Sequence, residues 1–272
     1  MSFSEVAKRS MSDYKVKYFP GLSNGLWRNK QYPHILPFKN KYDNLLKTYK
    51  SKLIEYLIDK NIKLHICFHH LNSSQAMCLN FFYPLVKEKE LGLIIEFLGF
   101  KNEIVNYDSV CFEKDGLEKV YNSRPTSFDF YFETNSYKKF YFEIKYSESE
   151  FGKAKINPEK INKFKTVYQK YLAPLRAKYH NEKEFFDNYQ ILRNIIHIKE
   201  DSYVVFIYPN NNKKVKMQAE NVKNDMLILK YHNHFFPITW ENLYSIILES
   251  VRSKDINKQF SDFKEKYFEM KK

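Results

Sequence analysis

Two aromatic segments with strict alternation place the strongest constraint on how this chain folds. Residues 127–134 read SFDFYFET and residues 138–148 read KKFYFEIKYSE. Successive side chains of a strand point to opposite faces, so each segment suits a strand with one strongly apolar face. Asn135 and Ser136 lie between them and favour a tight turn. The pattern predicts an antiparallel β-hairpin.

The acidic residues of this hairpin are predicted to share one face. A hairpin centred on Ser136 pairs Asp129 directly with Glu143, and Lys145 follows on the same face. Cross-strand neighbours on one face have Cβ atoms roughly 4.5–5.5 Å apart, and two carboxylates at that separation repel unless a cation joins them. Oxygen ligands of this kind suit Mg²⁺, with Mn²⁺ as a substitute. The opposite face of the first strand is predicted to carry Phe128, Phe130 and Phe132.

An aspartate on one strand and Glu143-Ile144-Lys145 on the next resemble the PD-(D/E)XK nuclease superfamily. The proline that usually precedes the aspartate is replaced here by Phe128. Further segments resemble restriction-endonuclease-like proteins of that superfamily: residues 27–28, 33–37, 69–76 with Asn80, 146–152 and 189–194. The resemblance implies a Mg²⁺-dependent DNA endonuclease, most closely a type II restriction enzyme.

The resemblance also implies a role for each site residue. Asp129 and Glu143 hold the metal, and Lys145 orients or deprotonates the attacking water. A helix before the first core strand often adds another group to the site in this superfamily. Gln75 begins the matching helix and either holds the metal or water through its amide oxygen or only bonds backbone. Glu148 and Glu96 are weaker alternatives.

The charge balance is consistent with a nucleic-acid partner. Lys and Arg number 45 against 32 Asp and Glu, a net charge of +13, which favours binding of a polyanion. A compositional bias toward Lys would give the same excess. Five residues are candidates for contacts with the DNA backbone, with a solvated helix face as the alternative: Arg124, Lys153, Lys155, Lys160 and Lys163. Expected partners are double-stranded DNA, a second copy of the chain on a palindromic site, and a cognate DNA methyltransferase as genetic partner.

Other classes of protein are disfavoured by missing motifs. The sequence contains neither GxGxxG nor GxxxxGK[ST], which disfavours a Rossmann dehydrogenase or a P-loop NTPase. Its 3 cysteines form no CxxC pair. His65, Cys67 and His69 alternate as zinc ligands might on a strand, but a buried strand with histidines is the preferred interpretation. Residues 232–234 read HNH, which carries almost no weight by itself. No apolar run suits a membrane span or a signal segment, so a cytoplasmic location is expected.

The predicted fold class is α/β: a restriction-endonuclease-like core with a mixed sheet flanked by helices, plus helical elaborations at both ends. Residues 1–272 are expected to form one nuclease domain, with an arm and helix at 1–71, the core at 72–210 and a strand and helices at 211–272. Strands are predicted at 63–69, 103–113, 202–209 and 227–232, besides the hairpin. Helices are predicted at 42–58, at 76–100 with a kink or break at Pro84, and at 184–196, 240–251 and 256–268. Residues 19–37 read as an irregular arm.

Two other functions stay open on the sequence alone. One is a repair or mobile-element nuclease without sequence specificity. The other is a DNA-binding protein that keeps the fold without chemistry.

Overall fold

The computed structural model describes residues 1–116 and 127–270. The chain forms two compact units, one made of Met1–Lys101 with Glu241–Lys272 and the other of Asn102–Trp240. The second unit contains the hairpin with its acidic residues. That the whole chain acts as one nuclease domain stays a prediction.

The first unit begins with elements that the sequence patterns did not indicate. Helix α1 starts with a capping box, in which Ser2 and Glu5 each bind the other's backbone N–H. The expected irregular arm contains a two-stranded hairpin, whose turn residues Arg28 and Asn29 both have positive φ. The elements up to residue 101 are α1 (Phe3–Tyr18), β1 (Gly25–Trp27), β2 (Lys30–Tyr32), a 3-10 helix (Phe38–Asn44), α2 (Lys50–Asp59), α3 (Ser74–Lys87) and α4 (Gly92–Phe97).

The helix predicted at 42–58 is wrong in its first half. Leu45 has extended backbone angles, and α2 begins only at Lys50. The cause is Asn80, whose amide accepts from the N–H of Leu46 at 2.8 Å and donates to the carbonyl of Asn44 at 3.1 Å. These bonds replace the ones that a helix would have made there.

The strand predicted at 63–69 is also wrong, because that segment consists of irregular chain and turns outside any sheet. Ser73 caps α3 as predicted, with its hydroxyl accepting from the N–H of Ala76. The predicted helix 76–100 divides into α3 and α4. Helix α3 continues through Pro84, and the break between α3 and α4 lies after Lys87.

The second unit is built on a five-stranded mixed sheet, which confirms the predicted fold class. Its strand order is β3-β4-β5-β6-β7, with antiparallel pairing up to β5 and parallel pairing from β5 to β7. The elements are β3 (Val105–Asp115), β4 (Ser127–Thr134), β5 (Lys139–Ile144), α5 (Pro158–Lys163), α6 (Glu182–Asp187), α7 (Tyr189–Ile195), β6 (Ser202–Tyr208), α8 (Lys213–Asn221) and β7 (Phe235–Thr239).

Helices α6, α7 and α8 share a hydrophobic core with β6. Every residue of β6 is buried, as expected for a strand with parallel neighbours on both sides. Alternate residues of the strand enter the core with α7 and α8: Val204, Phe206 and Tyr208. Helix α7 also reaches β5, because its Gln190 and Asn194 donate to Glu143 near the end of that strand.

Two predictions in this unit need correction. The helix predicted at 184–196 is divided at Asn188, which has non-helical backbone angles. The last strand is not at 227–232, where Leu227 makes one isolated bridge and a 3-10 helix follows. It is β7, and Pro237 in its middle conceals it. Since β7 is an edge strand, the N–H that proline lacks costs no pairing within the sheet.

After the sheet, the chain returns to the first unit through α9 (Trp240–Ser250) and α10 (Lys254–Tyr267), in agreement with the predicted closing helices. Helix α10 packs on α3 through aromatic contacts of Phe81 with Phe260 and Phe263, whose ring centroids lie 4.9 and 5.3 Å away. Among the described residues, no helix combines the length and the apolar character that crossing a bilayer requires.

Candidate active site

The hairpin of β4 and β5 has the predicted register. Phe130 pairs with Phe142 and Tyr131 with Tyr141, the register of a hairpin centred on Ser136. Side chains alternate as expected over these pairs. The rings of Tyr131 and Tyr141 lie 4.7 Å apart, and those of Phe130 and Phe142 lie 5.5 Å apart. The same register brings Asp129 next to Glu143, one position beyond the last regular pair.

The alternation fails at Phe128, contrary to the prediction that it shares a face with Phe130. Its ring packs on Tyr141 and His197, at centroid distances of 4.9 and 4.8 Å. The neighbouring strand explains the change, since Glu113 neighbours Asp129 in the register of β3 and β4 and has φ of 55°. A left-handed residue inside a strand interrupts the pleat locally.

Asp129 lies partly exposed at this irregular end of the hairpin. Its Oδ2 accepts from the backbone N–H of Ile144 at 2.6 Å, which fixes the carboxylate beside β5. Burial raises the pKa of Asp129 well above its usual value, and the negative charges of Glu143 and Glu113 raise it further. Lys145 and the Ile144 N–H oppose this rise without cancelling it.

Glu143 is buried, with 4% of its surface exposed, and three side chains donate to its carboxylate. Oε1 accepts from Lys145 Nζ and from Gln190 Nε2, each at 2.8 Å, and Oε2 accepts from Asn194 Nδ2 at 2.8 Å. Gln190 also accepts from the N–H of Gly152 at 2.9 Å, so its amide is held at both ends. The orientation of Glu143 is therefore set by several fixed partners.

Gln190 and Asn194 are site residues that the sequence patterns do not single out. They lie four residues apart on α7 and share a face of that helix. The segment 189–194 resembles restriction-endonuclease-like proteins, but no rule of spacing says which strand the helix faces. Asn194 is fully buried, and its Oδ1 has no hydrogen-bond partner among the described residues.

Lys145 follows β5 directly and is also buried, with 5% of its surface exposed. Its backbone is anchored on both sides, since its N–H donates to Ile207 and its carbonyl accepts from Trp240 Nε1. The ammonium lies 5.1 Å from the centroid of the Phe151 ring. Burial alone lowers the pKa of Lys145, but the carboxylates of Glu143, Glu148 and Asp129 more than offset this and raise it above its usual value. Lys145 is therefore protonated at neutral pH.

Gln75 lies in the first unit, where its amide serves the backbone. Oε1 accepts from the N–H of His65 at 2.8 Å and Nε2 donates to the carbonyl of Lys63 at 3.0 Å. These bonds fit the alternative in which Gln75 only bonds backbone. Of the weaker candidates, Glu96 is exposed in the first unit, and Glu148 accepts from the N–H of Tyr146 near Lys145.

The predicted DNA-contacting residues occupy different settings. Arg124 lies outside the described residues. Lys153 and Lys155 are exposed on the segment that follows Phe151. Lys160 and Lys163 lie on α5, at 4.9 and 5.5 Å from the ring centroids of Tyr189 and Tyr168 respectively.

A zinc site at His65, Cys67 and His69 receives no support. The segment forms no strand, so the alternation that suggested it is absent. Over residues 1–116 and 127–270, no group of three or more His, Cys, Asp or Glu side chains is arranged to hold a metal ion. A metal between Asp129 and Glu143 would therefore rest on two protein carboxylates. The HNH letters at 232–234 fall in a 3-10 helix.

Comparisons with known proteins agree with an endonuclease. A family model described as restriction endonuclease associating with ARP matches residues 5–268, which is nearly the whole chain. No curated protein and no solved structure shows significant similarity to the chain. On the strength of that full-length match, the chain belongs to the family of restriction endonucleases associating with ARP.

Proposed function

We propose that the chain is a Mg²⁺-dependent endonuclease of the PD-(D/E)XK type that hydrolyses phosphodiester bonds of double-stranded DNA at a specific sequence. The observation that carries this proposal is the joint placement of Asp129, Glu143 and Lys145 on one hairpin. Asp129 binds the backbone between the other two at 2.6 Å, and Lys145 binds Glu143 at 2.8 Å. The family match supports nuclease chemistry independently of this geometry.

The site has the chemistry that a hard cation requires. Asp129 and Glu143 offer carboxylate oxygens, and the pKa of Asp129 is raised by burial and by the charges of Glu143 and Glu113. This excess of negative charge is what a divalent cation would relieve. Mg²⁺ held by the two carboxylates would supply Lewis acidity and lower the pKa of an attacking water, and Mn²⁺ would substitute for it.

Lys145 contributes to catalysis directly, without acting through the metal. As a protonated amine beside Glu143, it offsets negative charge that accumulates on the phosphate in the transition state, and it orients the attacking water through its N–H groups. Gln190 and Asn194 hold Glu143 so that this arrangement is formed before substrate arrives. Asp129 is the partly exposed member of the three and marks the side from which DNA approaches.

We infer a homodimer, because one hairpin per strand of a palindromic site is the simplest way to cut both strands. Basic residues of the segment 153–163 contact the DNA backbone. A cognate DNA methyltransferase protects the host's own sites, and the protein acts in the cytoplasm. We also infer that the chain associates with ARP, as the description of its family states for that family.

A digest of unmodified plasmid, followed by sequencing of the fragment ends, tests the function. Discrete fragments in Mg²⁺ or Mn²⁺, with none in excess EDTA, support a metal-dependent sequence-specific enzyme. A smear would favour the nonspecific nuclease, and binding without any cutting would favour the DNA-binding protein that lacks chemistry. Full cutting in excess EDTA would overturn the metal mechanism.

A further inference from the structure

A group of cations surrounds two tyrosines beside the candidate active site. We call it the basic tyrosine cluster, and it consists of Lys160, Lys163, Tyr168, Tyr189 and Arg193. Lys160 Nζ and the Arg193 guanidinium carbon lie 4.9 and 5.4 Å from the centroid of the Tyr189 ring. Lys163 Nζ lies 5.5 Å from the centroid of the Tyr168 ring. The two tyrosine hydroxyls are hydrogen bonded to each other at 2.9 Å.

The positive charge of Arg193 is not neutralised by an acidic residue of the described chain. The Nε of Arg193 is buried without a hydrogen-bond partner, and its guanidinium forms no ion pair within residues 1–116 and 127–270. A buried donor without an acceptor is costly to a folded protein unless a ligand supplies the acceptor. Lys160, Lys163, Tyr189 and Arg193 are all partly exposed, so an anion can reach them.

The hydroxyl of Tyr189 reflects the same positive environment. Burial alone raises the pKa of Tyr189, but the hydrogen bond from Tyr168 and the charges of Lys163, Arg193 and Lys160 lower it below its usual value. The cluster thus combines ammonium and guanidinium donors with a polarised hydroxyl. A tetrahedral phosphate, which offers several acceptor oxygens and a negative charge, matches this set of donors.

Helix α7 links the cluster to the active-site carboxylate. Gln190 and Asn194 hold Glu143, and Tyr189 and Arg193 precede them by one position each on α7. The two pairs form adjacent rows along one helix. A phosphate on the cluster would therefore lie beside the site where the hairpin acids act, at a distance fixed by the helix.

We propose that the basic tyrosine cluster binds a phosphate of the DNA backbone next to the cleaved bond, with Arg193 and Tyr189 as binding residues besides the two lysines. This inference rests on the proposed endonuclease function and assigns the substrate's anchor. The anchored phosphate sets the position of the DNA strand relative to Asp129, Glu143 and Lys145.

The test measures affinity for a duplex of about 25 base pairs by fluorescence anisotropy in EDTA, at several salt concentrations. The double variant Lys160→Gln/Arg193→Gln should bind about 10-fold or more weakly than wild type, and its slope of log K against log salt should fall by about one. Tyr189→Phe keeps the ring and removes the hydroxyl, so it should weaken binding by a few-fold with an unchanged slope. The charge-matched control Lys165→Gln/Lys183→Gln removes two exposed lysines outside the cluster and should keep more of the affinity than the cluster variant.

The outcomes separate this site from the enzyme function. If wild type binds and cuts DNA while the cluster variant keeps the wild-type affinity and slope, the cluster proposal is overturned and the function stands. If wild type neither binds nor cuts DNA, the proposed function itself fails. Titration with inorganic phosphate distinguishes the source of the anion. Loss of phosphate binding in the cluster variant with unchanged DNA affinity would assign the site to a free anion and overturn its role with DNA.

Discussion

Asn194 donates its Nδ2 to Oε2 of Glu143 at 2.8 Å, and both side chains are buried. With Gln190 on the other oxygen, helix α7 supplies two of the three donors that fix this carboxylate. A proposed metal ligand is thus positioned by a helix more than 40 residues further along the chain. Partners that orient a ligand in this way typically contribute 10–100-fold to metal affinity or activity.

We expect Asn194→Ala and Gln190→Ala to lower kcat by about 10–100-fold, because Glu143 loses a fixed donor in each variant. The concentration of Mg²⁺ that gives half-maximal rate should rise, while duplex affinity in EDTA stays near wild type. Steady-state cleavage across a Mg²⁺ series checks this. Asn188→Ala serves as control, since that residue lies between α6 and α7, where its amide donates to the carbonyl of Glu184. Unchanged kcat and Mg²⁺ dependence in both test variants would contradict the positioning role.

The stability of the metal-free protein should depend on the proton held by Asp129. The pKa of Asp129 in the folded protein lies above the unfolded value of about 3.9. The stability that the bound proton contributes is therefore fully present below about pH 3.9, and it is lost as the pH rises through the folded pKa. Asp129→Asn stays neutral throughout. In EDTA at pH 8 the variant should therefore have a higher Tm than wild type, and each 1 kcal/mol gained would raise the Tm by about 2–4 °C. The exposed Asp108→Asn is the control, and a lower Tm for Asp129→Asn would contradict the electrostatic account.

Binding of Mg²⁺ should release that proton and therefore strengthen with pH. Thermal-shift curves of wild type should show a rise in Tm with Mg²⁺ that grows from pH 6 to pH 9, because the cation competes with the proton of Asp129. Asp129→Asn and Glu143→Gln should each lose most of the rise. A rise in wild type that is equal at both pH values, or that survives in both variants, would count against a cation held by these carboxylates.

Gln75→Ala separates the two roles considered for that residue. The variant loses hydrogen bonds to the backbone of Lys63 and His65, so we expect a loss of about 1–3 kcal/mol in the free energy of unfolding. If the role is only structural, the rise in Tm with Mg²⁺ and the kcat per folded molecule stay at wild-type levels. A selective loss of the Mg²⁺ effect would instead assign Gln75 to the metal site.

The hairpin was predictable because its signal is local. Alternation over residues 127–134 and the turn near Ser136 fix the register of β4 with β5, and the register alone brings Asp129 to Glu143. The failure of the alternation at Phe128 has a cause that is not local. The positive φ of Glu113 lies on another strand, and no feature of residues 127–134 reveals it.

Local patterns could not predict the secondary structure of residues whose backbone N–H groups bind distant side chains. The sequence predicts a helix at Leu46 and a strand at His65, yet Asn80 and Gln75 bind the backbone N–H groups of these residues instead. Likewise, Pro237 conceals β7 in the sequence, although an edge strand tolerates a proline. Gln190 and Asn194 escaped notice as site residues because their function depends on which strand α7 faces, which is a property of the packed fold.

Asp129, Glu143 and Lys145 are proposed to act together in metal-dependent DNA cleavage. The most direct measurement compares plasmid cleavage in Mg²⁺ by wild type, Asp129→Ala, Glu143→Ala and Lys145→Ala, with duplex affinity and Tm recorded for each protein. We expect every variant to fold and to bind DNA with near wild-type affinity but not to cut it. Cleavage at the wild-type rate by any folded member of the three would contradict it.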